Sequence, residues 1–194
     1  MEALCLDVLN SDWRDFRRAG AGPDQLDDAV WRRALAERWE LRWALAGDGP
    51  AWSGLRAARS RLREVAAHIE AGGITEEDLA YLNDALARRA LCQRLEGEGD
   101  GYRLALVAEP GPDRLAGAVA REAVASFARL VARAELRRIK LCANPDCRWA
   151  FYDATRNLRR RWCDSATCGN LMKVRRFRAR RRAPDGPGDR PAGL

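Results

Sequence analysis

Lysine, histidine and long uncharged stretches are scarce in this sequence. Of the 35 basic residues only Lys140 and Lys173 are lysines, and His68 is the single histidine. No stretch approaches the roughly 18 uncharged residues that a membrane span needs, and Met1-Glu2 opens with an acid where a secretory signal has basic residues. These absences argue against membrane insertion and secretion, and we expect a cytoplasmic protein.

Motifs of enzymes are also missing. The sequence has no nucleophile motif, no phosphate-binding glycine loop and no close pair of carboxylates. His68 lies on a predicted helix, where a surface or half-buried position is the simplest interpretation. Since a catalytic site must be built from several groups, we do not expect an enzyme.

The composition is that of a chain that folds in water. The 194 residues are 47% hydrophobic and 32% charged, and this length predicts one or two domains. The charge is distributed unevenly. Residues 1–136 hold 19 Arg against 23 acidic residues, a net charge of −4, whereas residues 137–182 hold 15 basic against 3 acidic residues, a net charge of +12. This asymmetry predicts a polyanion-binding end attached to an ordinary globular body.

Apolar residues recur at helical spacing in four segments of the first half. The four sets are Leu6, Leu9, Trp13 and Phe16; Leu26, Val30, Ala34 and Leu41; Leu55, Leu62, Val65 and Ile69; Leu79, Leu82 and Leu86. Breaks that contain glycine separate them at 20–23, 47–50 and 72–73. The second helix is expected to continue to Ala46, and Thr75 with Asp78 predicts a capping box for the fourth.

A β-hairpin, a long helix and a tail are expected next. Segments 91–95 and 102–107 flank a glycine-rich turn. The helix should span about 112–138, with Leu115, Val119, Val124, Phe127, Leu130, Val131 and Leu136 as its apolar set. Residues 183–194 are rich in proline and glycine and should be disordered. The predicted fold is therefore mainly α with a small β-hairpin (α+β), in which a helical body, 1–136, precedes a C-terminal unit, 138–182.

Four of the six cysteines form two close pairs in that C-terminal unit. Their spacing is Cys142-x4-Cys147-x15-Cys163-x4-Cys168, which can bring four thiolates to the corners of a tetrahedron. Residues 149–152 suit a strand, 153–157 a turn, and the residues after Cys168 a helix. Knuckle, hairpin and helix together predict a treble-clef-like finger that holds one structural Zn²⁺.

The alternative is a pair of disulfides without metal, which a reducing cytosol disfavours. A catalytic zinc is not expected, because four cysteines leave no coordination position for water. Cys5 and Cys92 lie in apolar segments of the body, where free cysteine is usually a small buried hydrophobe.

The C-terminal segment resembles the CGNR zinc finger. The resemblance rests on Leu141-Cys142-Ala143-Asn144-Pro145-Asp146-Cys147-Arg148-Trp149, Phe151-Tyr152-Asp153, Arg156-Asn157, Arg160-Arg161-Trp162-Cys163 and Cys168-Gly169-Asn170. The body resembles the ABATE domain more weakly, through the segment from Leu6 to Ser11. One departure is that Leu171 stands where the CGNR motif ends in arginine.

This resemblance implies a stress-induced transcription regulator of bacteria, located at the nucleoid. Its N-terminal domain would sense a small molecule or form a homodimer, and its finger would contact DNA. The resemblance is also the main reason to favour duplex DNA over RNA.

The basic residues of the finger are the candidate DNA contacts. They are Arg156, Arg159, Arg160, Arg161, Lys173, Arg175, Arg176, Arg178 and Arg180. An arginine surface suits bidentate contacts to phosphate and guanine. Leu171, Val174 and Phe177 share one arc of the helix and are expected to pack against the aromatic residues of the finger. Two alternatives remain for the basic surface, namely a solvated face and a site for an acidic protein partner.

The first third is dense in tryptophan, at Trp13, Trp31, Trp39, Trp43 and Trp52. Core packing is the simpler explanation, and an aromatic ligand pocket among the helices is the alternative. Asp7 and Asn10, about one helical turn apart, are its candidate polar groups, although both could equally cap local backbone.

Overall fold

Six α-helices and two short antiparallel sheets make up the described part of the chain. A computed structural model describes residues 3–12, 23–45, 49–88, 91–98, 101–108, 116–133 and 136–182. The helices are α1 (Leu4–Leu9), α2 (Ala29–Arg38), α3 (Leu55–Ala71), α4 (Glu76–Ala87), α5 (Ala118–Arg133) and α6 (Asn170–Arg182). The strands are β1 (Leu91–Glu98), β2 (Gly101–Ala108), β3 (Ile139–Leu141) and β4 (Ala150–Tyr152). The prediction of a mainly helical protein with a small hairpin and a C-terminal cluster of four cysteines is confirmed.

Helix α3 follows its sequence signals closely, whereas α4 follows them only in part, because Leu79 and Leu86 of its predicted apolar set are 53% and 38% exposed. The apolar positions predicted for α3 are all buried, and the helix ends at Gly72, whose φ of 144° favours glycine. The predicted capping box at the start of α4 is present. The Asp78 N–H donates to the Thr75 hydroxyl at 3.1 Å, and the Thr75 N–H donates to the Asp78 carboxylate at 3.0 Å.

The prediction of one continuous second helix is wrong. Glu40 has a φ of 55°, and the Leu41 N–H bonds back to the Ala36 carbonyl at 2.7 Å. This turn ends α2 and directs Leu41, 2% exposed, into the core. Val30 lies in the first turn of α2 and is 76% exposed, so it is not the core residue that its periodicity predicted.

Helix α5 lies at the centre of the body and packs against α1, α3 and α4. Its buried apolar residues include Val119, Ala123, Val124, Phe127 and Leu130. The predicted helix at 112–138 is shorter in the structure, because α5 ends at Arg133 and Leu136–Arg138 form a 3-10 turn. The predicted positions at 112–115 lie outside the described residues.

Strands β1 and β2 form the predicted hairpin with longer strands than expected. Pairing runs from Leu91 opposite Ala108 to Glu98 opposite Gly101. The side chain of Cys92, the residues Trp13 and Phe16, and the predicted disordered tail lie outside the described residues. Among the described helices, we find none that is both long and apolar enough to span a membrane.

The second sheet joins the cysteine-bearing segment to the body. Strand β4 lies where it was predicted, but it pairs with β3, which precedes the first cysteine. Ile139 and Ala150 are each 1% exposed and belong to the same apolar core as the helices. The predicted boundary near residue 137 therefore crosses a shared core, and independent folding of the two parts stays a prediction.

Candidate metal centre and basic surface

The four predicted ligands come together at one point. The Sγ atoms of Cys142, Cys147, Cys163 and Cys168 all lie within 4.8 Å of one another. Cys163 Sγ is 3.6 Å from both Cys147 Sγ and Cys168 Sγ, whereas a disulfide requires about 2.05 Å. All four thiols are free, which contradicts the disulfide alternative. Zn–S bonds of about 2.3 Å imply sulfur separations of about 3.8 Å in a tetrahedron, so the cluster fits one tetrahedral metal ion.

The first cysteine pair is held by a tight turn between β3 and β4. The Cys147 N–H donates to the Asn144 carbonyl at 3.0 Å, and the Cys142 N–H donates to the Trp149 carbonyl at 2.8 Å. Asn144 is fully buried, and its Nδ2 lies 3.5 Å from Cys168 Sγ. The sequence predicted only a turn residue here. The structure adds a donor that stabilises a thiolate.

The second pair leads into α6 through one π-helical turn, Ser165–Gly169. The Asp164 carboxylate caps that turn by accepting the Thr167 N–H at 2.7 Å. A Cβ atom on Gly169 would lie 3.1 Å from Cδ1 of Trp162, so a close ring contact explains the glycine. The two halves of the finger are joined by a hydrogen bond of 2.9 Å from the Ala143 N–H to the Arg161 carbonyl.

The thiols influence each other strongly. A hydrogen bond with the Cys147 thiol lowers the pKa of Cys142 to about 5. The same contact, together with burial, raises the pKa of Cys147, and burial raises the pKa of Cys163 to about 12. Four thiolates at these distances repel one another, so full ionisation of the cluster requires a bound cation.

A buried ion pair organises the loop between the two cysteine pairs. Asp153 is fully buried and accepts hydrogen bonds from Lys140 Nζ at 2.6 Å, the Thr155 N–H at 3.0 Å and the Arg160 N–H at 3.1 Å. Burial alone would raise the pKa of Asp153, but the bonds from Lys140 and Thr155 outweigh it and hold this pKa well below its usual range. No sequence signal identified this pair.

Three body side chains hold the backbone of the finger. Asn10 accepts the Ala150 N–H at 2.7 Å and donates to the Ala150 carbonyl at 3.0 Å. Glu70 accepts the Leu141 N–H at 2.8 Å, and Arg63 donates to the Arg148 carbonyl. Both hydrogen-bonding groups of the Asn10 amide are thus bonded to the backbone of β4. Sequence reasoning missed Glu70 and Arg63, whose partners lie far along the chain.

Part of the predicted DNA-contact set is engaged within the finger. Arg160 donates to the Trp162 carbonyl at 2.9 Å and lies 4.7 Å from the centre of the Phe151 ring. Arg161 lies over the Trp162 ring, and Arg175 pairs with Asp146 at 2.7 Å. The other members are exposed and have no polar partner among the described residues, and they are Arg156, Arg159, Lys173, Arg176, Arg178 and Arg180.

The expected packing of the α6 apolar arc is wrong. Val174 is 45% exposed and Phe177 is 59% exposed, and only Leu171 is half-buried. The Arg175 to Asp146 ion pair turns another side of α6 toward the finger. The two apolar residues therefore face outward.

A cavity of about 480 Å³ lies where the body meets the finger. Its walls are formed by Asp7, Asn10, Gln25, Trp31, Ala34, Leu35, Arg38 and Trp149. Asp7 accepts from Trp39 Nε1 at 2.8 Å and lies 3.4 Å from Arg38. The two predicted polar groups are thus at one cavity, together with one tryptophan from each part of the chain.

Cys5, His68 and four of the tryptophans singled out in the sequence lie in the body. Cys5 is fully buried in the body, and burial raises its pKa to about 11. His68 has a half-exposed side chain, and its Nδ1 lies 2.8 Å from the buried Asp78 carboxylate. Trp31, Trp39, Trp43 and Trp52 are half-buried and pack against the apolar core.

Comparison with known proteins gives one family match, and it covers this site. Residues 138–181 match the CGNR zinc finger family. This match confirms the resemblance of the C-terminal segment, covers the cysteine cluster and α6 as far as Arg181, and does not extend to the body. A search of curated proteins gives no significant match.

Proposed function

We propose that this protein is a zinc-dependent DNA-binding protein that acts as a bacterial transcription regulator at the nucleoid. The observation that carries the proposal is a set of exposed cations on α6 beside a cluster of four cysteines, and within the described part of the chain these cations, Lys173, Arg176, Arg178 and Arg180, have no polar partner. The family match supports the finger, and the ABATE resemblance of the body supports the regulatory role.

Zinc is the proposed metal because of the donor set. Four cysteine sulfurs in a tetrahedral arrangement suit Zn²⁺ or an iron–sulfur centre, and the separations of 3.6 Å fit a single ion. Four ligands close the coordination shell, so the ion would stabilise the fold and leave no position for an activated water. We therefore propose no catalytic activity.

Duplex DNA is the proposed partner because of the charge and the side-chain type. The basic residues on α6 project from the surface, and arginine can bind a phosphate with two parallel hydrogen bonds. The cysteine cluster fixes the start of α6, since Cys168 directly precedes Gly169 and Asn170. A helix held in this way can dock on a duplex at one orientation.

The test is a gel shift of full-length, zinc-loaded protein on random duplexes at several salt concentrations. Alanine at Lys173, Arg176 and Arg180 should reduce the slope of log K against log salt by about 0.9 for each lost phosphate contact. Alanine at Arg33, Arg88 and Arg133, three exposed arginines of the body, removes the same charge and should leave the slope unchanged.

Two results would contradict the proposal. Absence of any shift at low salt would exclude duplex binding and favour the acidic protein partner as the target of the basic surface. Equal slopes for the two triple variants would show that α6 is not the contact element.

We also propose that the body senses a small molecule, because the cavity touches the metal-binding turn. Trp149 forms one wall, and its carbonyl accepts the Cys142 N–H. A ligand against Trp31 and Trp149 would thus contact the finger directly. A thermal-shift screen of small aromatic compounds tests this. A hit should raise the Tm of the protein but not of a Trp31→Leu variant, and equal shifts in both would contradict the site.

A further inference from the structure

The outward side of α6 carries two large apolar side chains among its cations. Val174 and Phe177 are 45% and 59% exposed, and at 100° per residue they lie about 60° apart around the helix. Arg175, which binds Asp146 of the finger, is two residues before Phe177 and about 200° away around the axis. Within the described residues, Val174 and Phe177 therefore lie on a side of α6 that does not face the finger.

Cations border this apolar pair on both sides, and Arg181 lies between the two apolar residues around the helix. Lys173 and Arg180 lie beyond Phe177 on one side, and Arg178 lies beyond Val174 on the other. The Arg181 guanidinium lies 5.6 Å from the centre of the Phe177 ring. A surface of this kind fits a partner in which small apolar groups lie between two rows of anions.

The major groove of DNA has that arrangement. It is about 12 Å wide and accepts an α-helix, its walls are rows of phosphates, and its most prominent apolar group is the C5 methyl group of thymine. Helix α6 has 13 residues and is about 20 Å long. An anionic membrane is a poorer fit, because an interfacial helix needs a wider apolar face than two side chains provide.

We infer that α6 enters the major groove with Val174 and Phe177 against the base edges, and that these two side chains recognise thymine methyl groups. This inference rests on the DNA binding proposed above and adds a base preference to it. The flanking Lys173, Arg178 and Arg180 contact phosphates, so affinity and base preference come from different residues of one helix.

Replacing thymine by uracil tests the inference, because uracil keeps every hydrogen-bonding group and lacks only the methyl group. The probes are a 24-base-pair alternating A·T duplex and its uracil copy, with full-length, metal-loaded protein. We expect the uracil duplex to bind five- to tenfold more weakly. A G·C duplex that contains 5-methylcytosine should in turn bind more tightly than the unmethylated duplex.

Variants assign the preference to α6. Phe177→Ala should weaken binding to the thymine duplex and remove most of the difference between thymine and uracil, whereas Phe177→Leu should keep part of it. Val30→Ala is the matched control, because Val30 is an exposed apolar residue on a body helix, 76% exposed. It should leave both affinities unchanged.

Equal affinity for the two duplexes, with DNA binding intact, would overturn the inference and leave the proposed function standing. No binding to either duplex would overturn the proposed function as well. Sedimentation of the free protein tests a second copy of the chain as the occupant of this face. A dimer that Phe177→Ala converts to monomer, with an unchanged thymine-to-uracil ratio, would assign the face to dimerisation.

Discussion

The helical body and the finger are stabilised by different interactions. The interior of the body consists mainly of apolar side chains such as Leu62 and Phe127, which are fully buried. The interior of the finger contains four cysteines, the fully buried Asn144 and Asp153, and Lys140 paired with Asp153. Small folds bury too little apolar surface to be stable alone, which explains the use of a metal and a polar network in the finger.

The sheet formed by β3 and β4 is where these two kinds of interior meet. Its apolar residues Ile139 and Ala150 belong to the core of the body, and the loop between its strands carries Cys142 and Cys147. Destabilising either the apolar core of the body or the metal site of the finger should therefore lower the stability of the other part, to a limited and measurable extent.

The largest expected effect is that of removing a metal ligand. Cys163→Ser should abolish metal binding and unfold the finger, since the binding free energy of structural zinc is roughly 10 to 16 kcal/mol and acts as folding energy. The body should remain helical with a lower Tm, because Ile139 and Ala150 leave its core. Elemental analysis and circular dichroism under reducing conditions measure both effects.

Cys5→Ala is the control, because Cys5 is buried in the body. It should lower stability through a small cavity while metal content stays at one ion per chain. Stoichiometric metal and an unchanged melting curve in Cys163→Ser would show that the cluster is not the source of stability in the finger.

The next largest effect should come from breaking the buried ion pair. Asp153→Ala leaves Lys140, whose side chain is 16% exposed, without its carboxylate partner, and such a loss costs about 3 to 5 kcal/mol. Urea denaturation of metal-loaded protein measures this cost.

Asp146→Ala is the matched control, because it breaks an ion pair with Arg175 in which both side chains are about half exposed, 48% and 45%. Its cost should stay below about 1 kcal/mol. Similar costs for the two variants would mean that the Asp153 network contributes no more than a surface contact.

The body should show its own acid sensitivity through Asp78. Burial would raise the pKa of Asp78, but bonds from Thr75 and His68 lower it from 3.8 to about 2. A carboxylate with a lowered folded-state pKa stabilises the protein above its unfolded pKa, and this stabilisation is lost as the pH falls from about 4 to 2. The contribution is roughly 2 kcal/mol.

Asp78→Asn should lack this contribution at neutral pH and should lose less stability below pH 4 than the parent protein. The comparison is made at each pH, because protonation of the cysteine thiolates acts on both proteins alike. Parallel pH curves for the two proteins would contradict the assignment to Asp78.

The smallest effect should come from Gly169→Ala. The new methyl group would lie 3.1 Å from the Trp162 ring, so the ring must shift, and we expect a cost of about 1 kcal/mol. Gly49→Ala is the control, because, apart from its chain neighbours, no atom of the described residues lies within 4 Å of the added carbon. Thermal melting of the metal-loaded variants distinguishes them, and an equally stable Gly169→Ala would show that the ring moves freely.

Local sequence signals predicted the parts of the structure that depend on near neighbours. The spacing of the cysteines identified the metal cluster, and the Thr75 and Asp78 pair identified the capping box. The periodicity of Val174 and Phe177 gave the correct helix but the wrong environment, because periodicity shows which residues share a face and not what the face contacts.

Contacts between distant residues had no such signal. Asn10 and Ala150 are 140 positions apart, and Glu70 and Leu141 are 71 apart. Neither Asn10 nor Glu70 belongs to a motif that specifies a backbone partner. The end of α2 was missed for a different reason, since a left-handed Glu40 is set by packing of Leu41 and not by a glycine.

Glu70 and Asn10 also occupy part of the outer edges of the two-stranded sheet formed by β3 and β4. At the Leu141 and Ala150 pair, the Glu70 carboxylate accepts the outward N–H of β3. The Asn10 amide accepts the outward N–H of β4 and donates to the carbonyl of the same residue. An exposed strand edge is a template on which another chain can add a strand and begin to aggregate. Here side chains of the body bond the outward backbone groups on both edges of that pair. These bonds hinder strand addition at the finger as well as positioning it.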